Sequence, residues 1–255
     1  MSQEQRPINI EPISSDVDLE GMTKALVYYC DSFGISISIE AARRCIEHFL
    51  YVIHVNQVIN LTRITDIDEG IVLHILDSLM FLLSLNLHAS EHVMDMGTGA
   101  GYPGLPLAAT SNADIVLLDS VGKKVRAASA FIDALGLENA HAVHARVEDY
   151  ARENPSSFDC VVARAVAPLS VLLEYAAPLL KKDGRLVVSK APLSDEERSS
   201  GLQTAKITGF VLSDLKDFEL PCNLGSRQML TFVKAGTSKV KLPRATGLAR
   251  RKPLA

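Results

Sequence analysis

The stretch VMDMGTGAGYPG, residues 93–104, constrains this chain more than any other: an apolar run enters four glycines within eight positions, and a helix-forming segment follows. Without Cβ atoms, Gly97, Gly99 and Gly101 let a turn adopt positive φ and let a ligand approach the backbone. The helix behind them offers free N–H groups and the positive end of its dipole. Pro103 suits a first-turn position of that helix. A strand, glycine turn and helix in this order is the opening unit of a parallel α/β sheet, although an isolated glycine pattern also fits an ordinary turn.

The rest of the chain supports the sheet. After Ser90, short β-branched runs alternate with helical stretches, the pattern of βα units. Strands are predicted at His92–Met96, Asp114–Asp119, His141–Val147, Asp159–Arg164, Arg185–Ser189, Phe210–Phe218 and Gln228–Lys234. Helices are predicted at Pro103–Ala109, Lys123–Leu135, Leu169–Leu180 and Asp195–Ile207. The last two strands are joined by PCNLGS, too short for a crossover, so the seventh strand must run antiparallel. Upstream, apolar residues recur at helical spacing: Ala41, Cys45, His48, Phe49 and Val52, then Ile71, Ile75, Leu79 and Leu82, mark two amphipathic helices. The expected organisation is a loose segment 1–20, a helical subdomain 21–90, an α/β domain 91–236 and a basic tail 237–255.

Acids stand at three places around the glycine turn, two of them where a nucleoside would need them. Asp119 ends the second strand, 20 residues beyond Gly99, where a carboxylate accepts both ribose hydroxyls of an adenosine. The alternative is a strand-end cap. Val147, Glu148 and Asp149 close the third strand, placed to flank an adenine and accept from its amine, or else form a solvated turn. Asp95, just before the glycines, either holds the loop or meets the far end of the ligand. A nicotinamide dinucleotide and S-adenosylmethionine both fit this arrangement. Only about 90 residues follow the fourth strand, too few for a second mononucleotide half and a substrate domain, and with the terminal hairpin this favours S-adenosylmethionine. A P-loop is excluded because Lys124 rather than Ser or Thr follows Gly122-Lys123, and no GxSxG elbow is present.

The formal net charge of −4 argues against a protein that coats nucleic acid through bulk electrostatics, so any RNA contact must be local. Lys123, Lys124 and Arg126 cluster at the start of a helix, and Lys239, Lys241, Arg244, Arg250, Arg251 and Lys252 stand in a tail without acids. Surface helices carry such runs routinely, so solvation is the competing reading. The four cysteines are far apart, suggesting neither zinc nor disulfides, and fit a reducing cytoplasm. No metal is expected: His141 and His144 point to opposite faces of a strand. The first 15 residues do not read as a signal peptide, and residues 71–87 are too interrupted by His74, Asp77 and Asn86 to span a membrane.

NLTRITD (60–66), HILDSL (74–79), DMGTGAGYPGLPLA (95–108), LLDSVGKKVR (117–126), ARAVAPL (163–169) and the ending KLPRATGLARRKPL together resemble the bacterial guanine-N7 methyltransferases of small-subunit ribosomal RNA, the glucose-inhibited division protein B family. The resemblance implies a Rossmann-like, seven-stranded class I methyltransferase sheet with its last strand antiparallel. It also implies transfer of the sulfonium methyl of S-adenosylmethionine to N7 of a guanine in 16S RNA, free or in the small subunit. Gly97, Tyr102, Val147, Glu148 and Arg164 are the implied cofactor contacts, joining Asp95, Gly99, Gly101 and Asp119. Asn60, Arg164 and Lys190 are expected to hold the guanine and a nearby phosphate, and Arg63, Lys123, Lys124, Arg126, Arg244, Arg250, Arg251 and Lys252 the RNA. Val55, Leu73, Val166 and Ala191 depart from the usual pattern, which has Trp, Arg, Phe and Gly there. A methyltransferase acting on a small molecule or protein is the alternative, and a nicotinamide oxidoreductase a third.

Overall fold

Period-two alternation in the strands sends side chains to two separate cores. In the computed structural model, which describes residues 8–164 and 166–255, Val93, Ile115, Leu117, Cys160, Val162 and Val187 face one layer. Their neighbours Met94, Val116, Leu118, Val161, Ala163 and Val188 face the other. Both faces of the sheet are therefore covered, as a parallel sheet requires.

The chain opens with α1 (Leu19–Ser32), whose N-cap Asp18 accepts from the Gly21 amide, and α2 (Ile39–Asn56), capped by Ser38 through the Ala41 amide. A helical rod follows. It comprises α3 (Ile67–Gly70), a π-helical segment Ile71–Leu76, α4 (Asp77–Leu79) and a 3-10 segment Met80–Leu83. Then come β1 (His92–Met96), α5 (Gly104–Thr110), β2 (Asp114–Asp119), α6 (Gly122–Leu135), β3 (Ala140–His144), α7 (Val147–Glu153), β4 (Phe158–Arg164), α8 (Leu169–Ala176), β5 (Leu180–Lys190), α9 (Asp195–Thr208), β6 (Phe210–Glu219), β7 (Ser226–Lys234) and the short α10 (Leu248–Arg251). The sheet order is β3-β2-β1-β4-β5-β7-β6, with β7 antiparallel to both β5 and β6. Seven strands with a reversed β7 are what the sequence predicts.

Some boundaries differ. The third strand ends at His144 rather than Val147; Ala145 and Arg146 turn the chain, and Val147, Glu148 and Asp149 open α7 instead of closing a strand. Acids in a first turn complement the helix dipole, which is why this segment winds. In the N-terminal segment expected to be loose, α1 begins at Leu19; residues 1–7 lie outside the described ones. The second predicted N-terminal helix is the broken rod at 67–83. These helices share one continuous core with the sheet, Leu26, Phe49 and Ile75 packing in the same cluster as Val93 and Phe131. Among the described residues no helix is long and apolar enough to cross a membrane.

Candidate active site

The strand order reverses between β1 and β4, and open α/β sheets place ligands in the crevice outside the carboxyl ends of the strands at such a point. Here the crevice is a cleft of about 340 Å3, walled by Gly97, Asp119, Lys124, Val147, Glu148, Val166, Tyr175 and Arg250 among others. That size lies within the roughly 300–1,000 Å3 typical of small-molecule sites. The sequence brings Gly97, Asp119, Val147 and Glu148 here from three different turns. Tyr175 and Arg250 are additions that no local pattern announces.

The glycine turn is held from beneath and from the side. Gly97, Gly99 and Gly101 have φ of 81°, 61° and 96°. The Asp119 carboxylate accepts from the Gly99 amide (3.0 Å) and from the Val121 amide (2.8 Å), so it braces two turns at once. Each of its oxygens keeps a further lone pair, and Asp119 is a wall of the cleft. Asp95 is fully buried and accepts from the Gly104 amide at the start of α5 (2.8 Å). Its position is thus under the loop, and burial pushes its carboxyl up to about 6, opposed by the hydrogen bond from the Gly104 amide.

Behind the turn lies a buried cluster that no sequence pattern assembles. Tyr102 is stacked on His74, with ring centroids 4.7 Å apart, and packs against His48. Arg164, expected to touch cofactor or guanine, is committed elsewhere. Its guanidinium donates to the Leu73 carbonyl (2.9 Å), the His74 carbonyl (3.2 Å) and the Asp77 carboxylate (3.1 Å), and it lies over the Tyr102 ring. The Leu73 contact is through backbone, so the usual Arg at that position is not needed for it. An arginine only donates, so the His74 Nδ1 at 3.3 Å accepts, and Nε2–H donates to Thr62 Oγ1 (2.7 Å). His48 Nε2 donates to the Ala100 carbonyl at 2.8 Å.

Burial, chiefly, pushes both His48 and His74 down to about 3, and the Arg164 charge adds to this. The unfolded chain takes up these protons near 6.5, so between those values it holds more protons than the fold, and stability falls as pH falls. The slope is about 1.4 kcal/mol per pH unit for each histidine. Asp95 acts oppositely: its folded carboxyl keeps a proton up to about 6 but the unfolded one only to 3.8, so acidification across that window favours the fold by one proton's worth. Together the three groups leave a net loss of about 1.4 kcal/mol per unit between pH 6 and 4. Urea unfolding at several pH values should show that His48→Gln removes about that much slope; a variant with the wild-type slope would refute the assignment.

The remaining expected residues are dispersed. Lys190 donates to the Ala167 carbonyl (2.8 Å) and pairs with Glu197 (2.6 Å), so its ammonium is already engaged. Asn60 and Arg63 are exposed in the loop between α2 and α3. Of the expected RNA-binding cations, Arg244 is corrected: it forms a two-pronged pair with buried Glu174 (2.6 and 2.5 Å) and is not free for phosphate. Arg126 has its Nε out of solvent, and Lys124 and Arg250 belong to the cleft wall. Lys123, Arg251 and Lys252 face outward. Among the described residues no group of three or more potential ligands is arranged to hold a metal, and all four cysteines are free.

A doubly covered sheet of this order, reversed only at β7, with a glycine turn and an acid at the next strand end, defines a class I, S-adenosylmethionine-dependent methyltransferase. Solved structures with this fold include a putative methyltransferase of Bacillus halodurans (18% identical, TM-score 0.52, covering 63% of this chain and 99% of that one). Aeropyrum pernix fibrillarin with natively bound S-adenosyl-L-methionine is another (13% identical, TM-score 0.50, covering 62% and 74%). Residues 43–226 match the family described as GidB, rRNA small subunit methyltransferase G. Proteins called ribosomal RNA small subunit methyltransferase G are similar over most of their length: that of Carboxydothermus hydrogenoformans is 34% identical, covering 91% of this chain and all of its own. That of Desulfitobacterium hafniense is 38% identical over 78% of this chain and 83% of its own. The chain belongs to the rRNA small subunit methyltransferase G family.

Proposed function

We propose that this enzyme methylates N7 of a guanine in 16S ribosomal RNA, free or in the small subunit, and works in the cytoplasm where that RNA is. The observation that carries this reading is similarity to ribosomal RNA small subunit methyltransferase G proteins over nearly the whole chain, with the glycine turn and its two acids included. The cleft residues fit the cofactor. Gly97 lets the turn pass close beside Val166, where a Cβ would come within 2.8 Å of that side chain. Asp119 offers acceptor lone pairs to vicinal hydroxyls, and Glu148, 5% exposed, keeps Oε2 for an amine while Oε1 is occupied. Bound there, S-adenosylmethionine supplies an electrophilic methyl on a sulfonium.

The chain's own residues align and exclude water. Guanine N7 has an in-plane lone pair and no proton to lose, so no general base is required. Gly97 and Val147 flank the cofactor, Asp119 and Glu148 grip its nucleoside, and Asp95, Gly99, Gly101 and Tyr102 fix the turn. Arg164 acts as a positioning residue through His74 and the turn, not by contact with guanine. Asn60, exposed in the loop between α2 and α3, is left for the base, and Lys190 could reach a phosphate only by giving up Glu197. Arg63, Lys123, Lys124, Arg251 and Lys252 form the RNA patch; among the described residues none of them pairs with an acid.

The test is incubation of unmodified small subunits and of free 16S RNA with labelled S-adenosylmethionine, followed by mass spectrometry of nucleosides. Labelled N7-methylguanosine at a single site is expected, and label in protein or nowhere would end the proposal. In the same assay, neutralising Lys123, Arg251 and Lys252 should flatten the dependence of RNA affinity on salt by about 0.7–0.9 per lost phosphate contact. An unaltered salt slope removes the patch.

A further inference from the structure

We propose that the C-terminal strap, residues 242–255, builds the nucleoside end of the cofactor cleft, with Arg250 binding adenosine rather than RNA. This rests on assigning the cleft to S-adenosylmethionine. The strap is fastened to the same groups that form the cleft. The Gly247 amide donates to Glu148 Oε1 at 2.7 Å, and Thr246 Oγ1 donates to Asp149 at 2.8 Å. Arg250 Nη2 donates to the Val166 carbonyl at 3.0 Å. Glu148 and Val166 are themselves walls of the cleft.

Further anchors hold it from outside. Arg244 grips Glu174 on α8, Arg152 of α7 donates to the Arg244 carbonyl (2.9 Å), and Ser200 of α9 donates to the Ala255 carbonyl (2.6 Å). Ala249 is 1% exposed within the core under the sheet. A basic tail that served only to reach RNA would gain nothing from being tied down at a buried carboxylate.

The chemistry at this end is matched to one base. Arg250 and Tyr175 stand on the wall beside Glu148. Adenine presents an amine donor next to ring nitrogens that accept. Glu148 Oε2 is an acceptor for the first, and the guanidinium, with Nη1 and Nε beyond its Val166 contact, is a donor for the second. Guanine presents the opposite order, an O6 acceptor beside an N1–H donor, so an acid and an arginine set this way favour adenosine.

The experiment is calorimetric titration of the full chain with S-adenosylhomocysteine in the absence of RNA, with RNA affinity measured separately across salt. Arg250→Gln should bind about tenfold more weakly, and Gly247→Pro, which removes the amide and cannot adopt φ of 78°, at least as weakly. Arg250→Lys should also lose cofactor affinity, because an ammonium lacks the planar fork, while all Arg250 variants keep the wild-type RNA salt slope. Unchanged cofactor affinity in both Arg250→Gln and Gly247→Pro overturns the proposal. So does a lowered salt slope in Arg250→Gln with cofactor affinity intact, which would make Arg250 an RNA contact. A wild-type chain that takes up no S-adenosylhomocysteine would bring down the cleft assignment itself, and this inference with it.

Discussion

Asp77→Ala should cost about 3–5 kcal/mol of folding stability, the penalty of breaking a buried ion pair by removing one partner. Its side chain is 4% exposed, and Oδ2 takes Arg164 Nη1 at 3.1 Å and Arg227 Nε at 3.2 Å while Ser189 Oγ donates to Oδ1 at 3.2 Å. One carboxylate therefore neutralises guanidiniums from β4 and β7 and ties the helical rod at 67–83 to three strands of the sheet. Remove it and two partly desolvated cations are left without an acid, with only carbonyls and the His74 ring nitrogen to accept from them.

The charge argument separates from the contact argument by a second variant. Asp77→Leu combined with Arg164→Met and Arg227→Met removes the whole ionic group, and should recover most of the loss, because apolar packing replaces such groups at little cost. Activity should not recover, since Arg164 also fixes His74, whose ring supports Tyr102 in the glycine turn. Denaturant unfolding reads both. If Asp77→Ala unfolds within about 1 kcal/mol of the wild type, the carboxylate does not tie the rod to the sheet.

This cluster also marks the limit of what the sequence discloses. β1 and β2 are legible to the residue, because short apolar runs there end in glycine or acid and alternate between two cores. Gly97, Asp119 and Glu148 line the cleft because each follows or ends a strand of the βα repeat, although Glu148 does so from the first turn of α7 and not from a strand end. Sequence pattern overextends the third strand because Val147 is apolar and β-branched, though the two acids behind it are the first turn of a helix. It underextends β5, as Lys181–Gly184 is polar and includes Asp183 at φ of 63°. Arg250 and Tyr175 reach the cleft only through packing across long stretches of chain, which no local pattern encodes. Asp77 does leave a signal: a carboxylate on the apolar face of a helix cannot be buried without a partner. That identifies the need for a cation but not Arg164 or Arg227, and Arg164 reads as a ligand contact because it ends a strand at the cleft.

Gly97→Val should lower affinity for S-adenosylhomocysteine by about 100-fold or more, equivalent to about 2.7 kcal/mol at about 1.4 kcal/mol per decade, and abolish measurable methyl transfer. The backbone at Gly97 has φ of 81°, a region that costs a β-branched residue of order 1–3 kcal/mol. Its Cβ would come within 2.8 Å of Val166, which also lines the cleft, so the added side chain must displace Val166 or the turn at the wall proposed for the cofactor. The turn cannot simply swing away, because the Gly97 and Thr98 amides are both bonded to the Leu118 carbonyl at 2.8 and 3.0 Å. Pairing with Val166→Ala relieves the collision and should restore part of the stability while leaving affinity low, since a β-branched residue still strains the turn and the Val166 wall of the cleft is lost. Gly136, with φ of 61° at the end of α6 and open space for a Cβ, with nothing within 4 Å of where it would lie, provides the contrast: Gly136→Asn should change stability by about 0.5 kcal/mol or less and leave affinity untouched. Both positions demand a left-handed backbone, but only one of them borders the proposed cofactor. A Gly97→Val protein that folds and binds S-adenosylhomocysteine within about threefold of the wild type would mean the cofactor does not approach this turn.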